Sequence, residues 1–127
     1  MRVFDNQWTV LLTTVRRDGV GVATVVNLAV EGDHGYFRTY ARASKLKRIR
    51  RNPDGQVAPC SPTGKPSGPA VPCRIRVLHG AEAAHAEQAI KRKHPIVQGV
   101  LVSFTHMLMR DRSVYLELRL QSSVTLT

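Results

Sequence analysis

The sequence predicts a β-dominated α+β fold, a six-stranded antiparallel sheet closed as a small barrel and carrying short helices. Three observations support this. Segments rich in β-branched residues recur along the chain with apolar and polar positions alternating. Glycine-containing turns such as Asp18-Gly19 and Glu31-Gly32-Asp33 separate them. The helical stretches are short, and the first is stopped by Asn52-Pro53. Closure also removes the unpaired edges of an open sheet.

Trp8–Val15 reads as the first strand, and Arg16-Arg17-Asp18-Gly19 as a tight turn, because Asp-Gly tolerates positive φ. The second strand is expected over about Val20–Val30. Gly19-Val20-Gly21-Val22-Ala23 looks like part of a dinucleotide fingerprint, but it lies in a hairpin with no helix after it. Glu31–Gly35 is the next turn and Tyr36–Thr39 the third strand. Ser44–Arg51 reads as a two-turn helix with Ser44 as N-cap and with Leu46 and Ile49 on its buried face. Gln56–Cys60 is the fourth strand, and Ser61–Gly68 is a loop.

Ala70–Leu78 is the fifth strand. Val71, Cys73, Ile75 and Val77 alternate there with Arg74 and Arg76, and Pro72 places its beginning at an edge or a bulge. Ala81–Lys93 reads as a helix with Ala83, Ala86 and Ile90 on one side and a Glu87–Lys91 pair. Ile96–Met109 carries a helical apolar stripe, and Ser113–Leu120 closes the chain as the sixth strand.

The length of 127 residues points to one domain, residues 1–127, and 43% hydrophobic residues suit a globular core. No apolar run reaches eighteen residues, and the N-terminal stretch lacks an apolar leader. A cytoplasmic location with no membrane partner is therefore expected. Cys60 and Cys73 are too few and too far apart for a zinc site. They are expected as reduced, packed thiols, although their positions flanking the Ser61–Gly68 loop also leave a cross-hairpin disulfide open. The histidines at 34, 79, 85, 94 and 106 form no HExxH-like pair or nucleophile triad, so no catalytic residue and no metal ligand is assigned.

The formal net charge of +10 points to an anionic partner. Seven of the fourteen residues from Arg38 to Arg51 are basic and none is acidic. Lys45 and Lys47 sit near a helix N-terminus, where positive charge opposes the helix dipole unless an anion is bound. Tyr36, Phe37 and Tyr40 interleave with Arg38 and Arg42, as a nucleic-acid surface can require. Aromatics are only 6% of the chain, and neighbouring strand residues face opposite ways, which weighs against that reading.

Several stretches together carry a resemblance. They are Leu11–Gly19, Val22-Ala23-Thr24, Phe37-Arg38-Thr39, Ser44–Pro53, and Val57–Cys60 through Gly64–Pro69. In order and spacing they resemble the split β-barrel flavin-binding proteins related to pyridoxamine 5′-phosphate oxidase, most closely the short members that use the deazaflavin coenzyme F420. The resemblance covers roughly residues 8 to 78. It implies a split β-barrel and a homodimer with the cofactor between two barrels, and the Ile96–Leu108 stripe is long enough to supply contacts between copies. The family's strand-end threonine and the lysine six residues later contact flavin and phosphate, and they match Thr39 and Lys45.

Thr24, Asn27, Ser44, Arg48, Pro59 and Cys60 complete the implied cofactor-binding set. Family members of this type commonly carry Pro and an aromatic after Ala-Thr, where this chain has Val25 and Asn27. An aromatic also often follows their Lys-Arg-Lys segment, where His94-Pro95 stand here.

The implied activity is transfer of a hydride from reduced F420 to an unsaturated small-molecule substrate, without a protein nucleophile. The completing proton comes from solvent or from a hydroxyl such as Thr24 or Thr39. Seven cations suit a phosphodiester with a glutamate tail better than the single phosphate of FMN, the alternative cofactor. The other readings are an FMN-, heme- or F420-binding protein without turnover and a nucleic-acid-binding small barrel.

Overall fold

A computed structural model of the chain describes residues 9–93 and 112–121. The helix expected over Ile96–Met109 lies outside them, as do His94, Pro95 and His106. The described residues form β1 (Thr9–Val15), β2 (Gly21–Asn27), β3 (Ala29–Glu31), β4 (His34–Tyr40), α1 (Ser44–Arg51), β5 (Asp54–Pro59), β6 (Val71–Val77), α2 (Gly80–Lys93) and β7 (Ser113–Leu120). No helix among them is long and apolar enough to cross a membrane.

The strands make one antiparallel sheet in the order β2-β1-β5-β6-β7-β4-β3, curled into a half-barrel. The β-dominated split-barrel expectation holds, with seven strands instead of six. The stretch expected as one strand over Val20–Val30 divides at Leu28 into β2, which pairs with β1, and β3, which pairs with β4. Its two halves thus stand at opposite ends of the sheet order, joined by one residue. Leu28 is buried against Gly35, where an added Cβ would lie 2.8 Å from the leucine side chain.

Alternation on the strands sends Val10, Leu12, Phe37, Val57, Cys73, Ile75, Leu116 and Leu118 into the main core, which Leu46 and Ile49 of α1 complete. On the other face, Ala86, Ala89 and Ile90 of α2 pack with Ala29, Tyr36 and Leu78. The expected Glu87–Lys91 pair forms at 3.3 Å. Arg74 and Arg76 lie on the outward face of β6 as expected, paired with Asp54 and with Glu82 and Glu117. Pro72 belongs to an interior strand and not to a sheet edge. It sits opposite Gln56, one residue before the β7 ladder begins at Cys73, so its missing N–H falls at the rim.

Gly55 marks the closest approach within the sheet. A Cβ there would meet the Thr13 carbonyl oxygen at 2.5 Å, and backbone cannot move aside as a flexible side chain can. Gly55→Ala is therefore expected to cost about 1–3 kcal/mol in urea unfolding, the scale of overpacking. An unchanged midpoint would contradict this close approach.

Candidate functional site

The basic segment from Arg38 to Arg51 spans the end of β4 and all of α1. Pro53 ends the helix, and Leu46 and Ile49 seat it on the barrel core. Ser44 is not the N-cap. It is the first helical residue, and Ala43 occupies the cap with no side-chain bond. Ala43 is extended at φ −65° and ψ 137°, its N–H donating to the Tyr40 carbonyl, so the chain turns into the helix one residue earlier than Ser44 would require. The Leu46 N–H donates to the Ala43 carbonyl at 3.1 Å, while the N–H groups of Ser44 and Lys45 have no partner among the described residues. The first turn also holds no acidic residue.

Lys45 is half-buried beside these open donors. Burial, followed by the nearby Arg48 guanidinium, pushes its ammonium down to about 8. Arg48 is itself anchored, its Nε donating to Thr14 Oγ1 at 2.6 Å. Arg51 is tethered more loosely, donating from Nη2 to the Val15 carbonyl at 3.3 Å. Among the described residues Lys45, Lys47, Arg48, Arg50 and Arg51 enter no ion pair. The outward arginines of the sheet behave differently, because Arg74, Arg76 and Arg119 all meet carboxylates. The cations of α1 are thus available to an external anion.

Thr24 lies opposite Leu12 on β1, one inward position from the Thr14–Val22 pair. Its hydroxyl is buried and has no hydrogen-bond partner among the described residues. Thr39 is buried on β4 opposite Val114. Asn27, Pro59 and Cys60 gather at the other end of β1. Asn27 is opposite Thr9, whose hydroxyl donates to the Cys60 carbonyl at 2.7 Å, and Pro59 is opposite Val10. The Ser61–Gly68 loop folds over that end, its Ser67 N–H bonding the Pro59 carbonyl at 2.9 Å. At strand rise, Thr14 and Thr9 are about 17 Å apart along β1, so only an elongated ligand reaches both groups.

Both thiols are buried and unoxidised, and Cys73 sits opposite Gly55 and not opposite Cys60. Burial pushes the Cys60 thiol up and the Cys73 thiol up to about 12, so neither is an activated thiolate at neutral pH. No group of His, Cys, Asp and Glu among the described residues is arranged to hold a metal. Phe37 lies in the main core and Tyr36 under α2, so neither offers a face to a nucleic-acid base.

Sequence reasoning missed Thr14 and the state of Arg38. A signal for Thr14 was present, since it continues the inward series Val10, Leu12 as a polar residue in a core register. Arg38 stacks over the Tyr40 ring at 5.5 Å and lies opposite Tyr115 in the ladder, and its Nη1 has no partner among the described residues.

No family model and no curated protein matches the sequence. Solved structures do resemble the fold. HutZ, the heme storage protein from Vibrio cholerae, superposes with a TM-score of 0.69 at 10% identity, covering 96% of this chain and 88% of its own. A pyridoxamine 5′-phosphate oxidase-like protein from Listeria innocua gives 0.62 at 14% identity, over 96% and 94%. An F420-H2 dependent reductase gives 0.59 at 18% identity, over 87% and 93%. The chain has the split-barrel fold that these proteins share.

Proposed function

We propose that this protein is an oxidoreductase that binds reduced coenzyme F420 and delivers its hydride to an unsaturated small-molecule substrate. The observation that carries the reading is the open start of α1: two N–H groups without a partner among the described residues, no capping side chain there, no acid in the first turn, and a desolvated Lys45. Such a terminus suits a phosphodiester, and the unpaired cations that follow suit the carboxylates beyond it. The span from α1 to Pro59 and Cys60 suits a ligand with a ring at one end and a charged tail at the other. The F420-H2 dependent reductase among the similar structures adds support at the level of the fold.

When bound, the coenzyme supplies the hydride, and the chain supplies grip and orientation. Lys45 and the first-turn N–H groups hold the phosphate, Ser44 flanks it, and Arg48 faces the tail one turn further on. Thr24 and Asn27 flank the course toward the ring, and Thr39, Pro59 and Cys60 are buried behind it. The raised thiol pKa values agree with a reaction that uses no cysteine nucleophile. The Thr24 hydroxyl, unpartnered among the described residues, is free to hold a proton for the substrate, in competition with Thr39 or solvent.

Heme binding without turnover is a second reading, favoured by the higher TM-scores of heme proteins, 0.69 for HutZ against 0.59 for the reductase. Titration with F420, FMN and heme, followed by anaerobic oxidation of reduced F420 against quinones, enones and tetrapyrroles, separates the two. Tight F420 binding with turnover supports the proposal, and binding of heme alone overturns it. The reading includes a homodimer, expected by light scattering at micromolar concentration. A monomer there would contradict that part.

A further inference from the structure

We infer that Thr14, a core threonine of β1, is the positioning residue that makes this site select a multiply charged cofactor tail over a single phosphate, by fixing Arg48. The inference rests on the F420 reading and adds a division of labour within it.

Lys45 and Arg48 are three residues apart on α1 and therefore share a helix face. They differ in what holds them. Lys45 stands in the first turn beside the open Ser44 and Lys45 N–H groups, where one phosphate fits. Arg48 stands one turn further on, too far along the helix to share those donors. An untethered arginine at position 48, close to Lys45 and Lys47, would swing into solvent, because like charges repel it and no carboxylate among the described residues holds it. The Thr14 hydroxyl prevents this by taking Nε at 2.6 Å.

That single bond fixes the plane of the guanidinium and leaves both terminal nitrogens without a partner among the described residues. A planar fork held by its third nitrogen is preorganised for a second, carboxylate-like anion. Thr14 is only 1% exposed, so it never touches solvent or ligand and acts through Arg48 alone. A buried hydroxyl in the inward series of β1 has no other partner among the described residues to justify it there.

The test is a binding cycle on the full chain, using F420, F420 stripped of its glutamates, and FMN as probes. Thr14→Val keeps shape and volume and removes the hydroxyl, while Thr14→Ser keeps the hydroxyl. Thr14→Val is expected to weaken F420 about tenfold and the two tail-less probes less than about twofold, the scale of one charge-assisted bond. Thr14→Ser should restore F420 binding, and Thr14→Val should add nothing in an Arg48→Ala background. Equal losses for all three probes, or a full further loss in the Arg48→Ala background, overturn the inference. Matching thermal midpoints of Thr14→Val and Thr14→Ser separate a binding defect from a folding one. If the unaltered protein binds none of the three probes, the F420 reading fails first. If it binds them and the cycle is additive, only the role of Thr14 fails.

Discussion

Phe37→Ala is expected to lower the unfolding free energy by about 3–5 kcal/mol, the cost of deleting a buried aromatic and leaving a cavity. Phe37 is fully buried at the middle of β4, opposite Leu116, and packs in the cluster that joins β1, β5, β6, β7 and α1. No neighbour can collapse into its place easily, because strand pairing on both sides of the core fixes the backbone. Against a typical total of about 5–15 kcal/mol, such a loss leaves a marginal protein. Urea unfolding followed by circular dichroism gives the number. A loss below about 1 kcal/mol would mean that the site collapses, contrary to the packing described.

Lys45→Ala is expected to weaken cofactor binding by about 1.5–3 kcal/mol, the worth of a hydrogen bond to a charged group. Arg51→Ala, at the far end of α1 and bonded to the Val15 carbonyl, should cost less and lose its effect in salt. Equal, small losses from both variants at matched ionic strength would remove the phosphate from the helix start.

The acidity of Lys45 adds a pH signature with opposite signs for binding and for stability. Its folded pKa of about 8 lies below the value of about 10.4 for the unfolded chain. Between these values the unfolded chain holds more protons, so the contribution of Lys45 to stability rises with pH there. Anion binding needs the charged amine, so affinity should be flat below about pH 8 and fall above it. Lys45→Arg, charged throughout, should flatten that profile. Affinity that stays level to pH 9.5 in the unaltered protein would rule out Lys45 as the cation.

Most elements were legible because side-chain alternation records burial directly. Val71, Cys73 and Ile75 against Arg74 and Arg76 is one case, and the Glu87–Lys91 pair on α2 is another. The division at Leu28 was not legible, because Val20–Val30 is extended throughout and only tertiary pairing decides that its halves join different neighbours. The cap of α1 was misread for a related reason. Ser44 has the right chemistry for a cap, but the turn at Tyr40–Ala43 brings the chain into the helix at Ala43. In the site, charge density pointed to α1, whereas the tether from Thr14 joins residues thirty-four positions apart and leaves no local pattern. Asn27, Pro59 and Cys60 came from family resemblance alone, and the structure places them at the end of β1 away from Thr14.

The position of β7 has a consequence for biosynthesis. It lies between β6 and β4 in the sheet, although it follows them by dozens of residues in the chain. Until the ribosome has released Ser113–Leu120, β6 and β4 both present bare ladders, and the two parts of the sheet are joined through Leu28, the connection that contains α1, and the packing of α2. Such long-range closure slows folding, and exposed ladders recruit strands from other chains in the meantime. The nascent polypeptide therefore passes through a stage in which a short peptide with the sequence of β7, supplied in trans, would compete for the same slot and hold the barrel open.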